Sequence, residues 1–274
     1  MNTGVDSGLD LDHNGKKGEA NDAWGFGQFP GQYGMVVLSK YPLKQDQVRT
    51  FQNLKWSAMP GNLMPRDYYP QDIADQLRLS SKSHWDLPVD IDGKDVHLLV
   101  SHPTPPSFDG PEHRNGRRNS DEIRLTSDYI AGGDRAEYIV DDRGAKGGLK
   151  EGASYVVFGD QNSDPNDGGA GYPGVKQLLS APRIQDPAPR SAGAEAAGKQ
   201  PGMESHKTPV AQDTADFSDP KPGNLRADYV LPSQDLRVNG SHVVWPAPGQ
   251  PLSELMDPKT SSDHRMVVLE VAKP

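Results

Sequence analysis

The chain contains no cysteine. This absence excludes disulfides, thiolate metal sites and cysteine nucleophiles, so a bound metal ion must take oxygen or imidazole ligands. It does not decide the redox compartment, because a secreted bacterial enzyme can also lack cysteine.

Long apolar runs and an excess of basic charge are also missing. No run approaches the ~18 to 20 residues that span a bilayer, and residues 1–30 lack the basic and then apolar pattern of a signal peptide. The formal net charge is -9. This charge weighs against tight, sequence-blind binding to nucleic acid, because such affinity comes mainly from Lys and Arg that neutralise phosphates.

What is present predicts one domain over residues 1–274 that is rich in turns, since the chain carries 29 Gly and 25 Pro. Apolar patterns predict a hairpin around Asp92-Gly93 and a helix from Asn119 that ends at Gly132-Gly133. Residues 1–33 are predicted to form a Gly/Asp-rich loop and residues 181–206 a mobile loop. Further short strands are predicted at 35–39, 155–158, 227–231, 243–245 and 266–271.

Three polar clusters border these predicted strands. Ser101-His102 and Gly159-Asp160-Gln161-Asn162 follow apolar strands, and Ser262-Asp263-His264 precedes the last one. Strand ends hold side chains rigidly beside a cleft, so the clusters predict a shared site. Asp228 lies within an apolar strand, where an unpaired carboxylate is costly, and His264 is its natural partner.

These residue types supply what phosphoester hydrolysis needs. Carboxylates bind a hard divalent cation, an amide orients water or phosphate, and histidines move protons. Each cluster taken alone is better explained as a turn cap, because Asp and Asn after a strand usually cap turns. The occurrence of all the clusters in this order favours a role in phosphoester hydrolysis.

The same clusters resemble motifs of the endonuclease/exonuclease/phosphatase superfamily over about residues 2–272. The motifs that carry the resemblance are Val100-Ser101-His102-Pro103, Gly159-Asp160-Gln161-Asn162-Ser163-Asp164-Pro165, Leu225-Arg226-Ala227-Asp228-Tyr229-Val230-Leu231-Pro232-Ser233 and Ser262-Asp263-His264-Arg265. The chain is similar in particular to a bacterial, secreted branch, to which Thr104-Pro105-Pro106 and Gly116-Arg117-Arg118-Asn119 also belong.

The resemblance implies an α/β fold, a four-layer αββα sandwich of two mixed β-sheets flanked by helices. The active site is then expected at one rim, where strands of both sheets end. Asp263 and Asp160 are implied at a Mg²⁺ (or Mn²⁺) site. A secreted or periplasmic location is also implied.

The resemblance further implies a role for each catalytic candidate. His264 is the expected base that activates water, and Asp228 orients its ring. Asp160 and Asn162 are expected to position water and phosphate oxygens. His102 is expected to contact the phosphate or to assist the leaving oxygen.

One departure from the family's pattern affects the metal site. The family completes that site with an Asn on its first strand and a Glu on a following segment, and neither is found in this sequence. Glu19 lies in a Gly-rich loop and does not match the strand-borne Glu. The resemblance therefore predicts either that the chain is truncated at its N-terminus, with the missing ligands upstream, or that the missing ligands come from elsewhere.

A second candidate cation site lies near the start of the chain. Asp10, Asp12 and Asn14 alternate and are followed by Gly15, as in the first half of a Ca²⁺ loop. Asn21 stands where a bidentate Glu is usual. A Ca²⁺ site and a plain Asx-turn loop therefore both remain open.

Four further residues are candidates for substrate binding. His84 is expected at the rim or as a surface residue packed on Trp85. Arg117 and Arg118 are expected to contact a phosphate or to pair with the acids at 121–122 on a solvated face, and Asn119 belongs to the same motif.

Together these observations predict a metal-dependent hydrolase of phosphomonoesters or phosphodiesters. The expected substrate is a nucleic acid, nucleotide, phospholipid or sugar phosphate, with no membrane span and no obligate protein partner. The missing Glu motivates an alternative, a non-catalytic binding or structural module that keeps the fold and is stabilised by Ca²⁺.

Overall fold

The computed structural model describes residues 1–168 and 171–273. Within them the α-helices are α1 (Gln71–Ala74), α2 (Arg114–Ala131), α3 (Lys176–Leu179) and α4 (Ala192–Ala197). The strands are β1 (Arg49–Thr50), β2 (His84–Ile91), β3 (Lys94–Ser101), β4 (Ser154–Asp160), β5 (Ala215–Asp216), β6 (Asn224–Leu225), β7 (Asp228–Pro232), β8 (Val238–Val244) and β9 (Met266–Val271).

The main sheet is mixed and has the order β1-β2-β3-β4-β7. β3 and β4 run parallel, whereas the other neighbours in this sheet are antiparallel. The pairs β5-β6 and β8-β9 form two small antiparallel sheets. Because β4 and β7 are antiparallel, the end of β4 lies beside the beginning of β7.

Alternation along the strands gives the main sheet two apolar faces. One face, which includes Val157 and Leu231, packs on Ile123 and Tyr129 of α2 in the largest core cluster. The other face packs with Val271 of β9 in a second cluster. The sheet thus lies between a helical layer and the β8-β9 pair, and the predicted α/β sandwich class is confirmed, with the second sheet reduced to two strands in the described residues.

Local turn chemistry accounts for the elements that were predicted well. Asp92 and Gly93 have φ values of 55 and 88 degrees and join β2 to β3 as a tight hairpin. α2 ends at Gly132, whose φ of 64 degrees suits glycine. α2 begins at Arg114, earlier than predicted, because the Asp109 carboxylate accepts the first N–H groups of the helix, those of Asn115 and Gly116.

The strand predicted at 35–39 is wrong. The segment is not a strand, and the side chains of Val36 and Leu38 are 78% and 91% exposed. A short apolar run becomes a buried strand only when a neighbour pairs with its backbone. In the part of the chain that the structure describes, no strand pairs with this segment.

The segment 181–206, predicted as a mobile loop, contains α4. Ala194 of this helix is fully buried and packs against Val243 and Trp245. The mobility itself stays a prediction. No helix among the described residues is long and apolar enough to cross a membrane.

Candidate active site

The predicted catalytic residues meet at one edge of the main sheet. Asp160 ends β4 and is the register partner of Asp228, which begins β7. His102 directly follows β3, the parallel neighbour of β4. Three adjacent strands therefore deliver these three side chains to the same place.

Close packing of β3 and β4 at this edge requires a glycine. Gly159 has a φ of 137 degrees, and a Cβ atom placed on it would lie 2.0 Å from the carbonyl oxygen of Ser101. Only glycine combines this φ with such a close backbone approach. The glycine before Asp160 thus positions the carboxylate as well as the strand.

The turn after β4 is tied to the loop after β3. The Asp160 carboxylate accepts the N–H of Asn162 at 2.7 Å, and Asn162 has a φ of 48 degrees, which asparagine tolerates. The Asn162 amide donates to the carbonyl of Pro103 at 3.1 Å. Asn119 donates to the carbonyls of Thr104 and Gln161 at 2.8 and 2.9 Å. Asn162 also lines the adjoining cleft.

His264 and Asp228 form the hydrogen-bonded pair that the sequence predicts. The distance between His264 Nδ1 and Asp228 Oδ2 is 2.8 Å. Thr214 is fully buried, and its hydroxyl donates to the same carboxylate oxygen at 2.9 Å. The ring of Phe217 lies edge-on to the His264 ring at 5.3 Å. Asp228 and Phe217 therefore set the orientation of the imidazole.

Asp160 lies between two histidines. Its Oδ2 atom is 3.4 Å from Nε2 of His102 and 3.8 Å from Nε2 of His264. Asp160, Asp228 and His264 each offer a ligand atom within 4.8 Å of the others. The edge thus gathers two carboxylates and two imidazoles around one point.

Burial and charge shift the protonation of these groups strongly. Burial and the charge of Asp228 raise the pKa of Asp160 to about 7. Burial opposes ionisation of His264, but the hydrogen bond and charge of Asp228 outweigh it and raise the pKa to about 9. Burial, Lys82 and His264 lower the pKa of His102 to about 3. At neutral pH His264 is therefore protonated and His102 is neutral.

Sequence reasoning missed two residues of this site, Lys82 and Thr214. Lys82 is 4% exposed, and burial lowers the pKa of its ammonium to about 8 although Glu122 and Asp160 favour the charge. A lysine between two serines gives no signal of burial. Thr214 lies 14 residues before Asp228 in sequence, and no local pattern connects the two.

Asp263, predicted at the metal site, lies at the rim. It is exposed and lines a cleft of about 800 Å³ that also reaches Asn162, Phe108 and Tyr172. Among the described residues, the cluster within 4.8 Å at Asp160 does not include Asp263. Its role as a metal ligand stays a prediction.

The four predicted substrate-binding residues all have partners within the protein. His84 is 5% exposed and is hydrogen-bonded to the Ser80 hydroxyl and the Glu122 carbonyl, so it is not a surface residue. Arg118 donates to the backbone carbonyls of residues 24, 78 and 79. Arg117 donates to the carbonyls of residues 63 and 112 and lies over the ring of Tyr172. Asn119 ties the two loops of the site together.

The acids at 121–122 do not lie on a solvated face. Asp121 accepts hydrogen bonds from the Trp56 indole and the Leu63 N–H, each at 2.6 Å. Glu122 is fully buried and accepts the N–H groups of Ser81 and Thr104. Donors of buried segments, both backbone N–H groups and the Trp56 indole, satisfy these carboxylates in place of Arg117 and Arg118.

The candidate Ca²⁺ loop at residues 10–14 forms Asx turns. The carboxylates of Asp10 and Asp12 accept backbone N–H groups of residues 14 and 15, and the Asn14 amide donates to Glu19 at 2.6 Å. Asp10, Asp12 and Asp22 offer ligand atoms within 4.8 Å of one another. Glu19 also pairs with Lys16 at 3.6 Å.

The model of the Endonuclease/Exonuclease/phosphatase family matches residues 3–264. The chain belongs to this family. No curated protein matches the chain.

Solved structures similar to this family member cover it only in part. An endonuclease/exonuclease/phosphatase from Beutenbergia cavernae DSM 12333 is 17% identical. The match covers 85% of this chain and 46% of the Beutenbergia chain, with a TM-score of 0.47. Truncated Caenorhabditis elegans TDP2 is 18% identical. The match covers 76% of this chain and 58% of the TDP2 chain, with a TM-score of 0.36. A Staphylococcus aureus beta toxin mutant with bound magnesium ions is 14% identical. The match covers 63% of this chain and 49% of the toxin chain, with a TM-score of 0.34. The chain thus spans about half the length of these structural relatives.

Proposed function

We propose that this family member is a metal-dependent phosphoesterase that hydrolyses phosphomonoesters or phosphodiesters by in-line attack of water. The observation that carries the proposal is the juxtaposition of Asp160 with the hydrogen-bonded pair Asp228 and His264 at one sheet edge. A base with a fixed orientation next to a half-buried carboxylate is what water activation at phosphorus needs.

In this proposal His264 is the general base and Asp228 orients it. The hydrogen bond at Nδ1 holds the ring so that Nε2 faces the site beside Asp160. Only the neutral ring can accept a proton from water. Because the pKa of His264 is about 9, the neutral form grows as the pH rises towards that value.

His102 and Asn162 serve the phosphate in this proposal. The low pKa of His102 keeps its ring neutral at physiological pH, and the ring, whose Nε2 lies 3.4 Å from Asp160, is assigned the contact with a phosphate or leaving oxygen. Asn162 sits at the start of the cleft and contributes its side-chain oxygen to the positioning of water. Lys82 adds positive charge behind Asp160.

A divalent cation of the Mg²⁺ or Mn²⁺ type fits the donor set beside Asp160. Mg²⁺ is usually held by one or two carboxylates, several waters and the substrate phosphate. Asp160 would be its protein ligand, with Asp263 the second candidate at the rim. When bound, the cation would neutralise charge that develops on the phosphate.

The residues that line the cleft indicate only the chemical class of the substrate. Its lining includes the exposed Phe108, the half-buried Tyr172, Lys176 and Lys221, which suits an ester with both an apolar or aromatic part and a phosphate. Nucleic acid, nucleotide, phospholipid and sugar phosphate esters all have this chemistry. A secreted or periplasmic location is proposed on the motif resemblance alone.

The test is hydrolysis of bis(p-nitrophenyl) phosphate and p-nitrophenyl phosphate with Mg²⁺, Mn²⁺ or Ca²⁺. We expect turnover by the chain, or by the chain extended at its N-terminus, and loss of turnover in His264→Ala. His242→Ala is the matched control, because His242 is an exposed histidine on β8. Equal rates for His264→Ala and the wild type would reject the proposal.

A second candidate function is a non-catalytic module that keeps the fold and is stabilised by Ca²⁺ at residues 10–14. It is favoured by the position of Glu19, which pairs with Asn14 and Lys16 and is not among the described groups clustered at Asp160. This alternative predicts a melting temperature that falls sharply in EGTA, a fall that is lost in Asp10→Asn, together with no turnover of either ester.

A further inference from the structure

A second cluster of charged side chains lies in the wall of the cleft and is not used by the proposed mechanism. It comprises Asp164, Asp167, His206 and Asp213, which we call the wall cluster. Asp164 and Asp167 line the cleft. Two separate chain segments, the turn after β4 and the segment before β5, meet here.

The geometry of the wall cluster is compact and buried. Asp164, His206 and Asp213 each offer one ligand atom, and these atoms lie within 4.8 Å of one another. The His206 side chain is 4% exposed, and Asp164 and Asp213 are 7% and 0% exposed. Nε2 of His206 is 3.1 Å from Oδ1 of Asp213.

One atom of the cluster is left without a partner. Among the residues that the structure describes, nothing donates a hydrogen bond to Oδ2 of the fully buried Asp213. A buried carboxylate oxygen without a donor costs several kcal/mol on an order-of-magnitude scale. Such an atom points to a missing positive group.

Among the described residues, no lysine or arginine forms an ion pair with the wall cluster, although the charge of Arg226 acts on Asp164 from a greater distance. Asp164 accepts the backbone N–H of Arg226, but the guanidinium of Arg226 pairs with Asp186. Asp167 accepts backbone N–H groups of residues 207 and 208. Three carboxylates thus share one imidazole in a buried space.

His206 is oriented as a metal-binding histidine would be. Its Nδ1 lies 3.4 Å from Oδ2 of Asp167, on the side opposite Asp213. Histidines that bind metals commonly donate their second N–H to a carboxylate, which fixes the tautomer. With the proton on Nδ1, the lone pair of Nε2 points towards Asp213 and Asp164.

We propose that His206, Asp213 and Asp164 bind one divalent transition-metal ion of the Zn²⁺ class. Asp167 is then the residue that orients His206. Zn–N and Zn–O bonds of about 2.0 to 2.2 Å place neighbouring ligand atoms about 3.3 Å apart in a tetrahedron. The 3.1 Å between His206 and Asp213 matches this spacing. One imidazole with two carboxylates favours Zn²⁺ over Mg²⁺, which prefers oxygen ligands and keeps its waters.

The ion would brace the active site from behind. Asp164 lies two residues after Asn162, and Asp213 directly precedes Thr214, whose hydroxyl is bonded to Asp228. Binding would join the turn that carries Asn162 to the segment that holds Asp228. The role assigned here is structural, and it does not depend on the proposed hydrolase activity.

The experiment uses the full chain freed of metal with a chelator and then titrated with Zn²⁺ or Co²⁺. Bound metal is counted by mass spectrometry after gel filtration, and Co²⁺ is followed by its visible absorption. We expect the wild type to retain one more equivalent than His206→Gln or Asp213→Asn. Asp167→Asn should bind about 10 to 100 times more weakly.

Matched controls separate this site from the other carboxylate clusters. Asp228→Asn and Asp10→Asn alter those clusters and should keep the extra equivalent. Asp213→Asn replaces a buried carboxyl group, whose Oδ2 lacks a hydrogen-bond donor among the described residues, by an amide of the same shape. In chelator this variant should therefore melt at or above the wild-type temperature, which shows that loss of metal is not loss of fold. The proposal is overturned if the wild type takes up no such ion, or if His206→Gln and Asp213→Asn bind it as the wild type does.

Discussion

Asp228 and His264 are 36 residues apart in the chain, yet Oδ2 of one lies 2.8 Å from Nδ1 of the other. The carboxylate belongs to Asp228, the first residue of β7. The imidazole belongs to His264, in the segment just before β9. The bridge between Ala215 and His264 brings the two together, because Thr214 beside Ala215 also bonds to Asp228. The hydrogen-bonded pair therefore depends on three chain segments.

Replacement of Asp228 by Asn tests this pair. The amide keeps the shape of the carboxylate but removes the charge that holds the proton and orients the ring. We expect kcat/KM for an activated phosphodiester to fall by about 100-fold or more. Asp235→Asn, at an exposed ion pair with Arg183, is the control and should retain the wild-type rate.

Thr214 is expected to act as a positioning residue through Asp228. Thr214→Val keeps the volume but removes the donor to Oδ2, so the Asp228 charge is less fixed and the His264 pKa changes. We expect kcat/KM to fall by about 10-fold, roughly 1.4 kcal/mol in barrier height. NMR titration should show a shifted His264 pKa, and Thr214→Ser should restore both values. A His264 pKa that is unchanged in Thr214→Val would contradict this role.

The pH dependence of the rate distinguishes a base from an acid at His264. Because its pKa is about 9, a general base gains activity with rising pH up to that value. We therefore expect kcat/KM to increase from pH 6.5 to about 9 with a substrate that does not ionise in this range. A rate that falls over the same interval would assign His264 the role of an acid or phosphate-binding cation.

Stability in EDTA should also depend on pH through His264. The folded chain holds this proton more tightly than the unfolded chain, whose histidine pKa is about 6.5. The stabilisation is therefore full below about pH 6.5 and is lost as the pH rises through about 9. The free energy of unfolding should fall by up to about 3 kcal/mol over this interval. His264→Gln should show a flatter curve in urea denaturation.

Gly159→Ala tests the close approach that positions Asp160. The new Cβ would meet the Ser101 carbonyl oxygen at 2.0 Å, in a backbone conformation with a φ of 137 degrees. We expect a loss of more than about 3 kcal/mol in the free energy of unfolding, or failure to fold. Gly240→Ala is the control, because its nearest neighbour would lie at 3.6 Å. Similar costs for both variants would contradict the argument.

Much of the fold could be predicted because it depends on neighbours in sequence. Asp92-Gly93 specifies the hairpin and Gly132 ends α2, since both conformations follow from local turn chemistry. The strand that delivers Asp160 was also recognised from its own apolar run. Residues 35–39 show the limit, because the same kind of run is exposed where no described strand pairs with it.

Partners of polar side chains could not be predicted in the same way. His84 and Arg118 resemble rim residues in the sequence, but backbone carbonyls of loops distant in sequence bind them. Lys82 gave no sign of burial. The desolvation that sets its pKa comes from every element packed around it, which a local pattern does not contain.

The sequence by itself determined the candidates for the chemistry, His102, Asp160, Asn162, Asp228 and His264, because their types and order at the ends of apolar strands, or within one in the case of Asp228, match the motifs of the family. Only the tertiary structure decided which groups touch. It placed Asp228 against His264 and left Asp263 at the rim. It also brought together the two segments of the wall cluster, which are about 40 residues apart; the hydrogen bond between Asp164 and Thr208, for example, spans 44 positions. The physical reason is that charge, burial and metal affinity arise from atoms brought together across the chain, and sequence spacing does not encode that distance.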